Sequence, residues 1–540
     1  MLGMKAAVER LQRAIANQEK ILIYGDYDVD GTTAIVILKK AIEILGGSAE
    51  FHVPHRIKEG YGMRDEVIER AAANGVRLVI SVDTGIRAFA AAETARQLGL
   101  DLIVSDHHLP EEHGVPHAMA VLNPNQQGCE YPCKHLCGAG VAFKLAQALL
   151  EASRLAGKAR TRLLPSFLKM VAIATIADAV PLVGENRVIA KLGLQGLRDP
   201  RNPGLRALMQ IAQLQDKQRC LTASDVAFQI APRINAAGRM DIAQSVIDLF
   251  GTRDAESAAQ IAQKLNELNS DRQQTEQMIL KEIDMRLSED PEFRDASCVV
   301  LDGDGWHRGV IGITASRVVE RTGRPALVLS RENGEAHGSG RSIPAYHLLE
   351  ALESCHELFT RFGGHAHAVG FSLPCERIPE LRARLNAHAR ERLTTEDFVR
   401  LLELENEIEL TQITPDVLRT IASLEPFGMG NPEPVFLARS VRLLLPPKVL
   451  KEKHAKLRVR QEVPKTSPPE QRSNGKGVQQ NFDALAWRMA ERIAEEKLLA
   501  NDLVDLAFTL EENTHPEFGG IQLSVCDLKR VQVAAISAVS

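Results

Sequence analysis

Three aspartates set two residues apart mark the first chemistry in this chain. They lie in Gly25-Asp26-Tyr27-Asp28-Val29-Asp30-Gly31. Carboxylates crowded at this spacing repel one another unless something positive sits between them. An oxygen-rich cluster of this kind suits Mg²⁺, Mn²⁺ or Ca²⁺. The plainer alternative is a helix N-terminus, where Asp caps and Gly permits a tight turn. A calcium loop is excluded, because its twelfth position holds Ile37 and an apolar run rather than a helix precedes it. Further along come Asp83-Thr84-Gly85 and Asp106-His107-His108, each directly after an apolar run. Asp178 stands in Ala174-Thr175-Ile176-Ala177-Asp178-Ala179-Val180-Pro181. A carboxylate in such apolar company is costly unless it is paired or holds a metal. The alternative for Asp178 is a helix-terminal side chain facing water.

A second set of residues suits anions. Arg233 and Arg239 flank a small-residue stretch expected to turn. Gly338-Ser339-Gly340-Arg341-Ser342 and Phe362-Gly363-Gly364-His365-Ala366-His367 read as glycine-rich turns. Such turns let backbone approach a phosphate closely, with Arg341 and His365 supplying charge. Cys129, Cys133 and Cys137, with His135 among them, lack the second pair of a zinc site, and are expected to be reduced thiols.

Regular elements must hold these residues. Helices are expected over 4–17, 33–45, 64–74 and 89–98, and strands over 21–24, 49–53, 78–82 and 101–105. This alternation predicts a parallel sheet with crossover helices, in which ligands bind beyond the strands' carboxyl ends. Three of those ends carry acids or histidines. One such coincidence is weak, whereas three argue for a site. A mostly helical stretch follows over 139–250. Residues 254–289 then read as one helix about 50 Å long, without Gly or Pro, suited to connect two lobes. A second, smaller α/β unit begins near 297, with strands over 297–301 and 326–329 and a helix over 309–322. After about 395, five short alternating runs fit a small β-barrel of OB type.

Lys plus Arg is 65 and Asp plus Glu is 70, a net charge of −5, so any nucleic-acid surface must be local. It is found between 438 and 477, where Lys or Arg stands at eleven positions against three Glu. Residues 464–477 within it are expected to be a disordered loop. With no long apolar run and no signal peptide, the chain is expected to be cytoplasmic.

Taken together, Asp28-Val29-Asp30-Gly31, Val82-Asp83-Thr84-Gly85, Asp106-His107-His108 and Ala177-Asp178 resemble the DHH phosphoesterase superfamily. Gly363-Gly364-His365 and the unit before it resemble its DHHA1 partner domain. Gly305-Trp306-His307-Arg308-Gly309 and Pro426-Phe427-Gly428-Met429-Gly430-Asn431-Pro432-Glu433-Pro434 are similar to the bacterial single-strand-specific exonucleases of that superfamily. Relatives often have a His where this chain has Tyr24, and they usually carry some tens of residues before the first strand, so Met1 is expected to be a late start. The resemblance implies an α/β fold: a parallel-sheet DHH domain (1–250), a long connecting helix (251–290), a smaller α/β DHHA1 domain (291–394) and a C-terminal OB-type β-barrel (395–540). It implies 5′→3′ hydrolysis of single-stranded DNA to mononucleotides in DNA repair and recombination, with two divalent ions, Mn²⁺ or Mg²⁺. Asp28, Asp30, Asp83, His107 and Asp178 would be ligands, with Asp83 bridging and Asp26 as a further ligand. His108 would contact the scissile phosphate or protonate the leaving group, and Asp106 would hold a histidine. Arg56, Arg239, Ser339, Arg341 and His365 would bind DNA, some of them at a 5′-phosphate. The implied partners are a single-strand-binding protein and a RecQ-type helicase, and the implied state is a monomer. Two other readings stay open: a phosphodiesterase acting on short oligonucleotides or cyclic dinucleotides, and a non-catalytic DNA-binding scaffold.

Overall fold

Residues 21–24 are all apolar, and so are 78–82 apart from Ser81, the pattern of strands covered on both faces. In the computed structural model, which describes residues 1–155, 157, 159–215, 220–461, 481–513 and 519–531, they lie in a five-stranded parallel sheet of order β2-β1-β3-β4-β5. The strands are β1 (Lys20–Tyr24), β2 (Ala49–His52), β3 (Val76–Val82), β4 (Asp101–Ser105) and β5 (Ala120–Leu122), and all neighbours pair in parallel. The helices of this region are α1 (Met4–Ala16), α2 (Val29–Ile44), α3 (Asp65–Ala73), α4 (Phe89–Gln97) and α5 (Gly138–Glu151). Ile21, Ile23, Leu78, Ile80 and Ile103 pack into a core shared with α1, α2 and α5. The alternate residues Leu22, Tyr24, Val79, Leu102 and Val104 pack with α3 and α4. Each fully buried aliphatic side chain here contributes about 1.5–3 kcal/mol. Strand β5 was not among the expected elements; three residues are too short to show an alternation.

Helix α2 begins at Val29, not at 33, because Asp28 caps it: the Asp28 carboxylate accepts from the Gly31 amide at 3.0 Å. The plain N-cap reading of this aspartate therefore holds alongside any metal role. The stretch with Arg233 and Arg239 is also not a turn. It lies in the helix Ala231–Met240, whose second residue is proline and which is rich in alanine.

The helix Ala255–Glu289 runs for 35 residues. Ala258, Ala262 and Leu265 belong to the first core, while Ile279 and Ile283 belong to a different one with Phe293, Trp306 and Val310. One rod thus contributes to two cores. The second sheet has order β6-β7-β8-β10-β9, from β6 (Val299–Asp304), β7 (Ala326–Glu332), β8 (Glu335–Arg341), β9 (Arg361–His365) and β10 (Ala368–Pro374). Residues 338–341 and 362–365 are thus strands and not turns, and of these segments Ala366 and His367 form the turn that joins β9 to β10. In β8 the glycines occupy one face, where a Cβ on Gly338 would lie 2.1 Å from the Phe371 ring and one on Gly340 would lie 2.7 Å from Val369. They make room for large neighbours, and His337, Ser339 and Arg341 project from the other face.

By contacts the chain divides into two compact units, 1–400 with 428–430, and 401–427 with 431–540. The second holds one seven-stranded sheet of order β11-β12-β16-β17-β15-β14-β13. These are β11 (Asn406–Glu407), β12 (Phe436–Leu443), β13 (Lys448–Leu450), β14 (His454–Arg460), β15 (Phe482–Ala486), β16 (Leu503–Asn513) and β17 (Gly520–Arg530), and β12 also pairs with β14. The segment 464–477 expected to be disordered lies outside the described residues. No helix among the described residues is long and apolar enough to cross a membrane.

Candidate metal centre and anion cluster

Because β1, β3 and β4 run in parallel, their carboxyl ends open on one edge, and the chemical residues follow each end directly. Asp26 and Asp28 follow β1, Asp83 follows β3, and Asp106, His107 and His108 follow β4. Asp178 is the C-cap of the helix Leu164–Ala177. The structure brings all of these together with Asp30. His107 Nε2 lies 3.2 Å from Asp83 Oδ1, 3.7 Å from Asp178 Oδ2 and 3.8 Å from Asp30 Oδ2. Three overlapping groups, Asp83 with His107 and His108, Asp30 with His107 and Asp178, and Asp26 with Asp28 and Asp83, each place their donor atoms within 4.8 Å of one another. Asp83 belongs to two of them.

The cluster is electrostatically incomplete. Burial first, and then the neighbouring carboxylates, push Asp26 and Asp83 well above the usual carboxylate range. Asp28 is raised in the same way, and Asp178 is pushed up to about 9 by burial, Asp30 and Asp28. Asp26 Oδ1 and Asp83 Oδ1 are buried and lack a hydrogen-bond partner, and Asp83 is held at φ 58°. Orphaned buried oxygens and mutually repelling carboxylates, with one histidine in their midst, fit divalent cations of the Mn²⁺ or Mg²⁺ class.

Asp30 is held by residues that the sequence reading missed. The Gly138 and Ala139 amides, at the start of α5, donate to its two oxygens at 2.5 and 2.8 Å. A helix N-terminus aimed at a carboxylate favours its charge. Backbone amides leave no mark in the sequence, so no signal there could have found this contact. Two further supports were missed. The Asn235 side chain accepts from the Val29 amide at 3.2 Å, and the Tyr61 ring packs edge-on against His108 at 5.9 Å. Asp106 binds His108 rather than His107: His108 Nδ1 lies 2.8 Å from Asp106 Oδ1, which also accepts from the His107 and His108 amides. Burial opposes charge on His108, but the Asp106 bond outweighs it and raises the imidazole pKa. The His107 pKa is lowered by burial.

The candidate anion residues also converge. Arg239 is lowered to about 9 by burial and by the positive charges of Arg56 and Arg341. Arg341 is lowered by burial and by Arg56. Among the described residues none of these three forms an ion pair. Arg56 lies over the Tyr27 ring at 4.8 Å, and Arg341 donates to Ser339 Oγ at 3.2 Å. His365 is lowered by burial, then by His367, Arg341 and His108. Arg233 stays apart, bonded to Asn266. Cys129, Cys133 and Cys137 are free thiols and belong to none of the groups that could hold a metal among the described residues.

With this geometry in view, three family descriptions match: "DHH family, N-terminal domain" over 20–175, "DHHA1 domain" over 295–391 and "RecJ OB domain" over 404–527. The chain is 40% identical over 466 residues to the single-stranded-DNA-specific exonuclease RecJ of Bacillus subtilis, covering 86% of this chain but 57% of that protein. It is 35% identical to the protein of that name from Escherichia coli, covering 85% and 81%. The crystal structure of RecJ in complex with Mn²⁺ from Thermus thermophilus superposes with TM-score 0.80 at 30% identity, covering 98% of this chain and 72% of that one. The Mg²⁺ complex from the same organism gives 0.74 at 29%.

Proposed function

This chain belongs to the RecJ family of single-stranded-DNA-specific exonucleases, and from that premise we propose that it removes mononucleotides from the 5′ ends of single-stranded DNA by metal-assisted hydrolysis. The observation that carries the reading is Asp83, shared between two donor groups, with a buried oxygen that accepts no hydrogen bond and faces His107 Nε2 at 3.2 Å. Asp26, Asp28 and Asp83 would hold one divalent cation, and Asp30, His107 and Asp178 a second. Such a pair, when bound, supplies a water acidic enough to attack at neutral pH and neutralises the phosphate oxygens. His108 holds or gives a proton at the scissile phosphate, and Asp106 fixes its orientation and raises its basicity. Arg56, Arg239 and Arg341, with Ser339 and His365, take up the terminal 5′-phosphate, for which three unpaired guanidinium groups are well suited. The domain limits of this reading are 1–250, 251–290, 291–394 and 395–540. Single-stranded DNA as substrate is supported by the relatives' activity. A single-strand-binding protein and a RecQ-type helicase as partners, a monomeric state and a cytoplasmic location rest on the resemblance.

The test is incubation with 5′-labelled and 3′-labelled single-stranded and duplex DNA, with and without Mn²⁺. Label released at once from the 5′ end of single strands only is the expected result. Turnover of dinucleotides in preference to long strands would replace this reading with a small-substrate phosphodiesterase.

Two residue-level outcomes follow. Arg341→Ala is expected to weaken binding of 5′-phosphorylated ends by about tenfold, the loss of one charge-assisted bond, and to affect 5′-hydroxyl ends far less. Equal losses on both substrates would reassign Arg341 to general backbone binding. Asp106→Asn removes the partner that raises the His108 pKa. A raised histidine pKa keeps the proton on to higher pH, so the alkaline limb of the pH–rate profile should move to lower pH in this variant. A limb that stays in place would take His108 out of proton transfer.

A further inference from the structure

A cavity of about 610 Å³ opens in the first unit, and none of its lining residues is a candidate site residue. It is bounded by α2, by the helix Leu164–Ala177 and by the starts and ends of the helices Pro203–Ile211 and Gln244–Gly251. Its lining is of two kinds. Phe51, Phe167 and Phe250 contribute to an apolar floor, Phe51 the more open ring and Phe167 and Phe250 buried but for 7% and 4% of their surface, while Lys169, Arg201 and Arg253 supply positive charge. Arg201 and Arg253 are exposed and form no ion pair among the described residues, and Lys169 donates only to the Asp199 carbonyl at 3.0 Å. Of the two acids in the lining, Glu43 is already neutralised by Lys39 and Lys40, which leaves Asp248 against three cations. Asn202 is committed internally, accepting from the Leu205 amide and donating to the Phe250 carbonyl at 2.9 and 2.8 Å, so it shapes the wall and offers nothing further.

We propose that this cavity binds a nucleoside monophosphate, its base on the aromatic floor and its phosphate at Lys169, Arg201 and Arg253. The volume lies within the range of about 300–1,000 Å³ typical of small-molecule sites, and a mostly apolar wall with a few convergent charges is their usual make-up. Aromatic rings hold bases without regard to sequence, and arginines hold phosphate by charge-assisted bonds. The placement matters for the enzyme. Helix α2 starts at the Asp28 and Asp30 carboxylates, and the helix Leu164–Ala177 ends at Asp178, so the ligand touches both helices that carry the metal-type cluster. That the ligand is the released product rests on the nuclease reading; that the cavity binds it does not.

The experiment is calorimetric titration of the full chain in Mn²⁺, in an Arg341→Ala background that weakens the anion cluster of the catalytic edge. The titrants are dAMP, deoxyadenosine and inorganic phosphate. Saturable binding of dAMP is expected, weakened about tenfold or more by Arg201→Ala with Arg253→Ala, since each charged bond contributes about 1.5–3 kcal/mol. Deoxyadenosine and inorganic phosphate should each bind at least about tenfold more weakly than dAMP. Phe167→Leu tests the floor independently and should also weaken dAMP. Both arginines are exposed, so unchanged thermal melting is expected in the double variant. The idea is overturned by no saturable binding, by binding indifferent to the two arginines, or by inorganic phosphate binding as tightly as dAMP. The titration reads heat and not hydrolysis, so its failure and the failure of the nuclease reading are distinguishable.

Discussion

Asp83→Asn is expected to lower the rate of single-strand hydrolysis by about a thousandfold or more while leaving the protein folded. Asparagine is the informative replacement because position 83 sits at φ 58°, a region that Asn tolerates and most residues do not. Removing one charge from a buried group of like charges should not destabilise the cation-free protein. The sign follows from the pKa directions. Asp83 is raised well above its ordinary value and Asp178 is raised to about 9, so the folded form holds protons that the unfolded chain has lost. Their contribution to stability is complete below about pH 4, the unfolded carboxylate value, and is lost as pH rises toward the folded values. In EDTA the melting temperature of the unsubstituted chain should therefore fall as pH rises from about 4 toward 9, and more gently in Asp83→Asn. Addition of Mn²⁺ should raise the melting temperature of the former far more than of the variant. Near-normal turnover in a folded Asp83→Asn protein would remove this residue from the site.

The second large effect concerns the unit that begins at Leu401. Within its basic run Arg439 is engaged by Glu407 and Asp505, and Lys456 by Asp483. Lys448, Lys451, Lys453 and Arg458 form no ion pair among the described residues. If those four neutralise phosphates, each contributes about −0.7 to the slope of log affinity against log salt on a single strand. Ending the chain at Arg400 should then flatten that slope by roughly 3, measured on a long oligonucleotide with cation omitted. Short oligonucleotides should still be cut when Mn²⁺ is restored, since every candidate ligand precedes Ala179. An unchanged slope in a soluble, active truncation would deny the basic run a role in gripping DNA.

The strand tips were legible because each apolar run stops on a polar residue of the candidate site: Val82 on Asp83, Ser105 on Asp106. Asp178 was legible from its apolar company. The glycine-rich segments were misread because glycine was weighed as a turn former. The period-two alternation of Ala336, Gly338 and Gly340 with His337, Ser339 and Arg341 was already present and pointed to a strand. The start of α2 lies four residues before the expected one because the cap reading of the aspartate loop ranked behind its charge, although Asp28 serves as the cap. The hold of α5 on Asp30 was beyond reach, since it joins residues 108 positions apart through amides common to every residue. Nor does pattern alone reveal that Arg56, Arg239 and Arg341, from three separate segments, are near enough for their charges to act on one another.

Strand β8 interleaves two duties that proteins more often assign to separate segments. Even positions are limited by volume, because Phe371 and Val369 fill the space above the glycines, and odd positions carry the polar side chains His337, Ser339 and Arg341 on the other face. It is also an inner strand, hydrogen-bonded to β7 on one side and β10 on the other. A slip of one residue would exchange the two faces, driving the Arg341 guanidinium to the place of Gly340 against Val369 and turning glycines outward. Such a segment has no neutral direction in which to drift. An insertion exchanges its faces, and an enlargement at Gly338 or Gly340 requires the Phe371 ring or the Val369 side chain to move.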